Sequence, residues 1–432
     1  MRSPLIIFFH ILLLSILFSE PLKIKVVFNR HYGEICAFLK SECSEILDEL
    51  ENRMIHDLNE LGKREKLSFL TTLSGQPYTS FQITMRMENL NEILLSAYQY
   101  KENLGFLRFV KSDEKRFDKL KDFESSLMER IALIRLKFGD YDGYLRLTYR
   151  SSVDEYPWFS KDRRFMCFIS DRGTGNRDLH ILDLENFGIL RLTTTKSSEY
   201  FPRFSPDGKT VIFQSTKTGR WSIWMVDLDR FEGSYLKSLN PDGKGNLYTP
   251  FWDESGIYFS MEKNGEYGIY LFKDGILEKL FSRNVEMFSP FHFDNGILFT
   301  MVKPKGDTGI FLLKDGKAIP FEDTPFNEFD PIISEDGRWF AFVSNREGKF
   351  FLWLRSMITG KLYEIPPPSD GDIFYPSFMN DENIAFTFYP TGKEPDIWIY
   401  NFRSIIEMDG KFEKFLRVLE NLKSLFNEEA MK

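Results

Sequence analysis

Tyr200-Phe201-Pro202-Arg203-Phe204-Ser205-Pro206-Asp207-Gly208-Lys209, followed by the apolar run Val211-Ile212-Phe213, is the clearest copy of a unit that recurs along the chain. An aromatic lead-in ends on a proline, a polar turn follows, and a dense strand comes next. Proline sets φ near −65° at a turn's first corner, and Asp and Gly tolerate the backbone that the second corner needs. The same turn is legible at Asp162-Arg163 and at Glu335-Asp336-Gly337. The lead-ins are Tyr156-Pro157, Phe201-Pro202, Thr249-Pro250, Ser289-Pro290, Asp330-Pro331 and Tyr375-Pro376, with the prolines 45, 48, 40, 41 and 45 residues apart. A period in that range marks a radial or stacked repeat architecture.

Each unit continues with an apolar strand, then a third strand after another turn, and, in the first five, a more polar fourth strand such as 189–193 or 362–365. Four antiparallel strands per unit, six times over, predict a mainly β fold, a six-bladed β-propeller; a linear solenoid is the competing arrangement. The sixth unit stops after its third strand, where residue 403 opens a helical segment. Its missing strand is found ahead of the first proline. Leu145-Arg146-Leu147-Thr148 repeats Leu190-Arg191-Leu192-Thr193 at an offset of 45, the offset between Pro157 and Pro202. The strand around 144–149 is therefore expected to pair with Ile397–Tyr400 and close the ring, which removes two free sheet edges.

Outward from the repeats, the chain divides into a signal peptide over 1–20, a small α/β domain over 22–140, the propeller over 141–402 and a carboxy-terminal helix over 403–432. Arg2 and the apolar run Leu5–Phe18 have the form of an export signal, too short to span a bilayer. Cleavage and retention as an amino-terminal anchor both remain open at this stage; no later segment is apolar enough to cross a membrane. In the α/β domain the order β-α-β-β-α-β-α is expected, with one long helix from Ile35 to Leu61, a hairpin over 66–73 and 78–87, and a second helix over 89–103. Cys36 and Cys43 fall within that first helix, where a rise of about 1.5 Å per residue puts them ~10 Å apart, beyond disulfide reach. All three cysteines therefore read as buried thiols. Phe415, Leu419, Leu422 and Phe426 give the terminal helix one apolar face.

The formal charge of −8 argues against nucleic acid as a partner, because phosphate binding needs clustered Lys and Arg. Catalytic patterns are missing too. His10, His31, His56, His180 and His292 show no metal-ligand spacing. No Gly-x-Ser-x-Gly elbow, P-loop or Rossmann glycine pattern occurs. Asp171–Asp178 fails the calcium-loop spacing and reads as a strand-joining turn. No enzyme activity, cofactor or metal is expected, and the chain is expected to be a monomer.

Residues 204–209, with the preceding Tyr-Phe-Pro, and Ile223-Trp224-Met225-Val226-Asp227-Leu228 resemble the repeats of TolB-type propellers. The order of signal, α/β domain and six-bladed propeller is also similar to that family. Two units depart from the pattern, with Trp252-Asp253-Glu254-Ser255-Gly256 and Phe293-Asp294-Asn295-Gly296 in place of Ser-Pro-Asp-Gly. The α/β domain shows no TolB motif. The resemblance implies a periplasmic protein-interaction scaffold in a cell-envelope complex, with a peptidoglycan-associated lipoprotein as one partner type.

Within the propeller, residues near the prolines are expected at one mouth of the channel: Glu155, Tyr156, Glu199, Tyr200, Tyr248, Phe288, Glu328, Asp330 and Tyr375, with Arg203 just after its proline. Aromatics and acids around a concave mouth suit a protein or peptide segment carrying basic residues. A propeller enzyme acting on glycans or peptides, as lyase or hydrolase, and a cell-wall carbohydrate-binding module are the alternatives.

Overall fold

The structure is a computed structural model that describes residues 22–32, 40–63, 67–71, 79–89, 92–99, 102–110, 116–139, 141–228, 237–239, 243, 245–294 and 296–430. The expected signal peptide lies outside the described residues. The chain forms two compact units, divided between Ile134 and Arg135.

The first unit runs β1 (Leu22–Tyr32), α1 (Lys40–Gly62), β2 (Leu67–Leu70), β3 (Thr79–Asn89), β4 (Glu92–Gln99), β5 (Glu102–Val110) and α2 (Arg116–Phe138). Its sheet has the order β2-β1-β3-β4-β5. Two expectations fail here. The supposed hairpin is instead a pair of strands flanking β1, each parallel to it, because Ile24 and Val26 are buried and make β1 a central strand. The helix expected over 89–103 is instead two antiparallel strands. Leu95 and Ala97, two apart, are both fully buried, which is a strand's period. Along α1, Cys43, Leu47, Leu50, Met54 and Leu58 form the buried stripe. Cys43 is disulfide-bonded and not a thiol. Cys36 lies outside the described residues. Cys167 is a buried free thiol.

The second unit is a six-bladed propeller of four-stranded antiparallel sheets. The innermost strands of blades 1 to 6 are Asp154–Phe159, Glu199–Phe204, Asn246–Asp253, Met287–Phe293, Glu328–Ile333 and Gly371–Phe378. Every second strand places one phenylalanine in the blade's body: Phe168, Phe213, Phe259, Phe299, Phe342 and Phe386, all essentially inaccessible. Their register partners on the third strands are His180, Trp224, Tyr270, Phe311, Trp353 and Trp398. Burying each phenylalanine contributes about 1.5–3 kcal/mol. The repeated pairing also explains His180, which fills an aromatic position, lies 5.5 Å from the Phe168 ring and is pushed down to about 4 by burial.

β6 (Tyr144–Arg146) is the fourth strand of blade 6, with Arg146 opposite Trp398 and Tyr144 opposite Tyr400. The Leu-Arg-Leu-Thr repeat is reproduced bond for bond. The Ile397 N–H donates to Thr148 Oγ1 at 2.9 Å, as the Leu179 N–H donates to Thr193 Oγ1 at 2.8 Å. Arg146 pairs with Asp396 at 2.8 Å, as Arg191 pairs with Asp178 at 2.6 Å. The carboxy-terminal helix, α3 (Arg403–Ala430), follows blade 6 directly.

Candidate functional site

Each innermost strand is broken at its proline. The preceding residue has positive φ in all six blades: Tyr156 at 59°, Phe201 at 50°, Thr249 at 46°, Ser289 at 49°, Asp330 at 53° and Tyr375 at 55°. A shift in strand register coincides with every one. Non-glycine residues hold this conformation at a cost of about 1 kcal/mol or more each. Hydrogen bonds between neighbouring blades offset part of it. The Ser289 N–H donates to Thr249 Oγ1 at 2.9 Å, Tyr375 N–H to Asp330 Oδ2 at 3.2 Å, Tyr156 N–H to Thr387 Oγ1 at 3.0 Å and Thr249 N–H to Gln214 Oε1 at 2.9 Å.

At this level the channel narrows to a chamber of about 20 Å³, which holds about one water. Trp158, Phe251, Phe291 and Ile332, each just after a proline, line both this chamber and the cavity beyond it. The Arg203 guanidinium lies 4.0 Å from the Trp158 ring centroid and donates to Pro202 O at 2.8 Å. Burial pushes Arg203 down to about 10. Burial raises Asp330, which accepts from Ser289 Oγ at 2.9 Å. Arg203 and Asp330 thus belong to the chamber wall and not to a mouth.

The pre-proline mouth carries an arc of aromatic rings. It runs from Phe288 to Phe329 (6.0 Å between centroids), Phe350 (5.6 Å), Phe374 (4.9 Å) and Tyr375 (5.9 Å). From Tyr375 it continues to Tyr156 (4.1 Å), Tyr200 (6.1 Å), Trp221 (5.6 Å) and Tyr248 (6.3 Å). All of these except the buried Tyr156 are half-buried. The arc therefore visits every blade, with its two ends at blades 3 and 4. Glu262 and Glu286 sit near Tyr248, at one of those ends, where burial and the acids push the phenol up to about 12.

Of the residues expected here, Tyr200, Tyr248, Phe288 and Tyr375 line this mouth and Tyr156 backs it. The acids do not. Glu199 and Glu328 lie three residues before their prolines, a position that is buried in all six blades. Glu199 accepts from Thr193 Oγ1 at 3.0 Å and Thr195 Oγ1 at 2.7 Å, and burial pushes it up to about 7. Glu328 is raised by burial and pairs with Arg346 at 3.3 Å. Glu155 is buried between Arg177 Nε, at 2.9 Å, and the Tyr389 hydroxyl. The expectation missed Trp221, Phe329, Phe350 and Phe374. Phe329 and Phe374 stand two before their prolines, in the column of Tyr200, Tyr248 and Phe288, so aligning that column would have found them. Trp221 and Phe350 follow the matching turns Gly219-Arg220 and Gly348-Lys349.

The opposite mouth is a cup of about 240 Å³ above Trp158, Phe251, Phe291 and Ile332. Ion pairs Lys161–Glu254 and Arg163–Glu335 (3.0 Å) link blade 1 to blades 3 and 5 across its rim. His292 Nδ1 lies 2.5 Å from Asp253 Oδ2, with its ring stacked on Tyr258. Among the described residues no three His, Cys, Asp or Glu side chains are grouped to hold a metal, and no helix is long and apolar enough to cross a membrane.

Residues 173–222 match the model of the acylamino-acid-releasing enzyme N-terminal domain. The Tol-Pal system protein TolB of Francisella tularensis subsp. mediasiatica is 23% identical over 224 residues, 47% of this chain and 51% of that protein. The chain therefore spans about half the length of the curated relatives it matches. Among solved structures, TolB from Acinetobacter baumannii is 13% identical with a TM-score of 0.40, covering 89% of this chain and 94% of its own. An oligogalacturonate lyase in complex with manganese is 14% identical with a TM-score of 0.44, covering 61% of this chain and 95% of its own. The repeats are TolB-like, and they build a six-bladed propeller.

Proposed function

We propose that this protein is an exported, non-catalytic scaffold of the cell envelope whose pre-proline mouth binds a segment of a partner protein. The aromatic arc carries this reading. Rings held by their neighbours supply contact area at little entropic cost, and such anchors dominate protein interfaces. The acids Glu262 and Glu286 favour a basic segment at the end of the arc near Tyr248. The TolB-like repeats support a periplasmic place in an assembly of the Tol-Pal kind, with a peptidoglycan-associated lipoprotein as one partner type. The Cys43 disulfide supports an oxidising compartment. The experiment is capture of partners from envelope extract by the folded protein. Tyr248→Ala with Phe288→Ala should lose the captured partner, and Lys161→Glu on the far rim should keep it. Capture that survives the double substitution would sink the assignment of this mouth.

The cup favours a second reading. Its apolar floor and Asp253, which lines the cup and pairs with His292 behind it, suit a small glycan or peptide ligand, bound or processed there. A ligand screen with product detection separates the readings: turnover abolished by His292→Asn would establish an enzyme.

A further inference from the structure

We propose that α3 is a dimerisation element, pairing antiparallel with α3 of a second copy of this chain. The first three turns are bolted to the propeller. Ile405 is buried, and the buried Asp409 carboxylate accepts from Ser356 Oγ at 2.8 Å, Thr359 Oγ1 at 2.6 Å and Tyr363 OH at 3.0 Å. Lys361 lies 5.2 Å from the Phe412 ring centroid. Beyond that point Phe415 is 55% exposed, and the helix continues to Ala430. From 414 to 430 the helix is ~25 Å long at about 1.5 Å per residue.

The spacing along this helix gives it one continuous apolar stripe. Ile405, Met408, Phe412, Phe415, Leu419, Leu422 and Phe426 alternate steps of three and four. Steps of three and four keep these residues on one apolar stripe of the helix, which carries on past the turns held by the propeller. The charges identify the partner and its direction. From Lys411 to Arg417, Lys411, Lys414 and Arg417 against Glu413 leave +2; from Leu419 to Ala430, Glu420, Glu428 and Glu429 against Lys423 leave −2. Antiparallel self-pairing near Leu419 sets the basic half of each copy beside the acidic half of the other. Parallel pairing would set like against like. This replaces the monomer expected from the sequence.

Sedimentation of the full chain over a concentration series tests the proposal. A reversible monomer–dimer equilibrium is expected, with Leu422→Glu shifting it to monomer. Lys414→Glu/Arg417→Glu and Glu428→Lys/Glu429→Lys should each weaken the dimer at least ~tenfold, since several opposite-charge pairs become like-charge pairs. Mixing the two variants should restore a heterodimer of wild-type strength. A wild-type chain that stays monomeric throughout overturns the proposal. So does a dimer that Leu422→Glu leaves intact, or charge variants that fail to complement one another.

Discussion

Replacing Thr148 by Val tests the ring closure at one atom. Thr148 is 2% exposed, and its Oγ1 is the acceptor for the Ile397 N–H at 2.9 Å. Valine keeps the shape but strands that N–H in a buried seam, which costs about 1–3 kcal/mol. The unit from Arg135 to Lys432 holds roughly 300 residues; at about 2.1 cal/mol/K per residue its unfolding entropy is ~0.6 kcal/mol/K. The melting temperature should therefore fall by ~2–5 °C. Thr193→Val is the internal control, because it removes the equivalent 2.8 Å bond to Leu179 within blade 1. It also takes one donor from Glu199, so it should cost at least as much. The two differ in where the fold loosens. Amide exchange at Ile397–Ile399 should accelerate ~5- to ~150-fold in Thr148→Val and stay unchanged in Thr193→Val. If Thr148→Val left both the melt and exchange at Ile397–Ile399 untouched while Thr193→Val melted early, β6 would not be the strand that closes the ring.

Glu199 sets a pH dependence. Burial raises its folded pKa from 4.5 to about 7, so the folded state holds the proton more tightly; the contribution is complete below pH 4.5 and is lost as pH rises to about 7, on the order of 3 kcal/mol. Glu199→Gln should flatten that slope in denaturant titrations run from pH 4.5 to 8, and an unaltered slope would contradict the assignment. Trp158→Ala would open the chamber into the cup and strip one face of Arg203, costing about 3–5 kcal/mol and ~5–8 °C of melting temperature; a melt within a degree of wild type would show that the plug is not packed. Asp409→Ala leaves three hydroxyls without their acceptor and should cost on the order of 2–3 kcal/mol, read as faster amide exchange in the first three turns of α3. Protection that persists there would mean that Ile405 and Phe412 alone hold the helix.

The propeller was legible because its signals were redundant. The prolines, the Ser-x-Asp turns and the phenylalanine of each second strand repeat in step, and in the three Ser-x-Asp blades the turns are built alike. Ser160, Ser205 and Ser334 each donate to the Asp two residues on at 2.6 Å. The first unit offered no repetition to check against. A stretch such as Glu92–Gln99 carries apolar residues in a run that fits helix and strand alike. Only the burial of Leu95 together with Ala97 decides between them, and that burial depends on a sheet partner remote in sequence.

The acids were misplaced because all residues near the prolines were expected at the mouth together, although successive residues of a strand face opposite ways. The position three before the proline faces the blade's body, occupied by Asp154, Glu199, Leu247, Met287, Glu328 and Ile373. The position two before it is aromatic and faces the mouth in five blades. In blade 1 it is Glu155, and the hydroxyl of Tyr389 reaches that carboxylate from blade 6. The strained residue itself is handled in two ways around the ring. In blades 3, 4 and 5 it is Thr249, Ser289 or Asp330, whose side chains bond to the neighbouring blade. In blades 6, 1 and 2 it is Tyr375, Tyr156 or Phe201, whose rings pack together at 4.1, 4.6 and 5.6 Å. The strand break at the proline is common to all blades, but aromatic packing concentrates where blade 6 meets blade 1. The chamber wall beneath the arc is consequently two-sided, aromatic at the closure and polar over blades 3 to 5. A partner segment lying across the mouth above it would set its apolar anchors against the arc, down to its ends at Tyr248 and Phe288, and its basic residues toward Glu262 and Glu286.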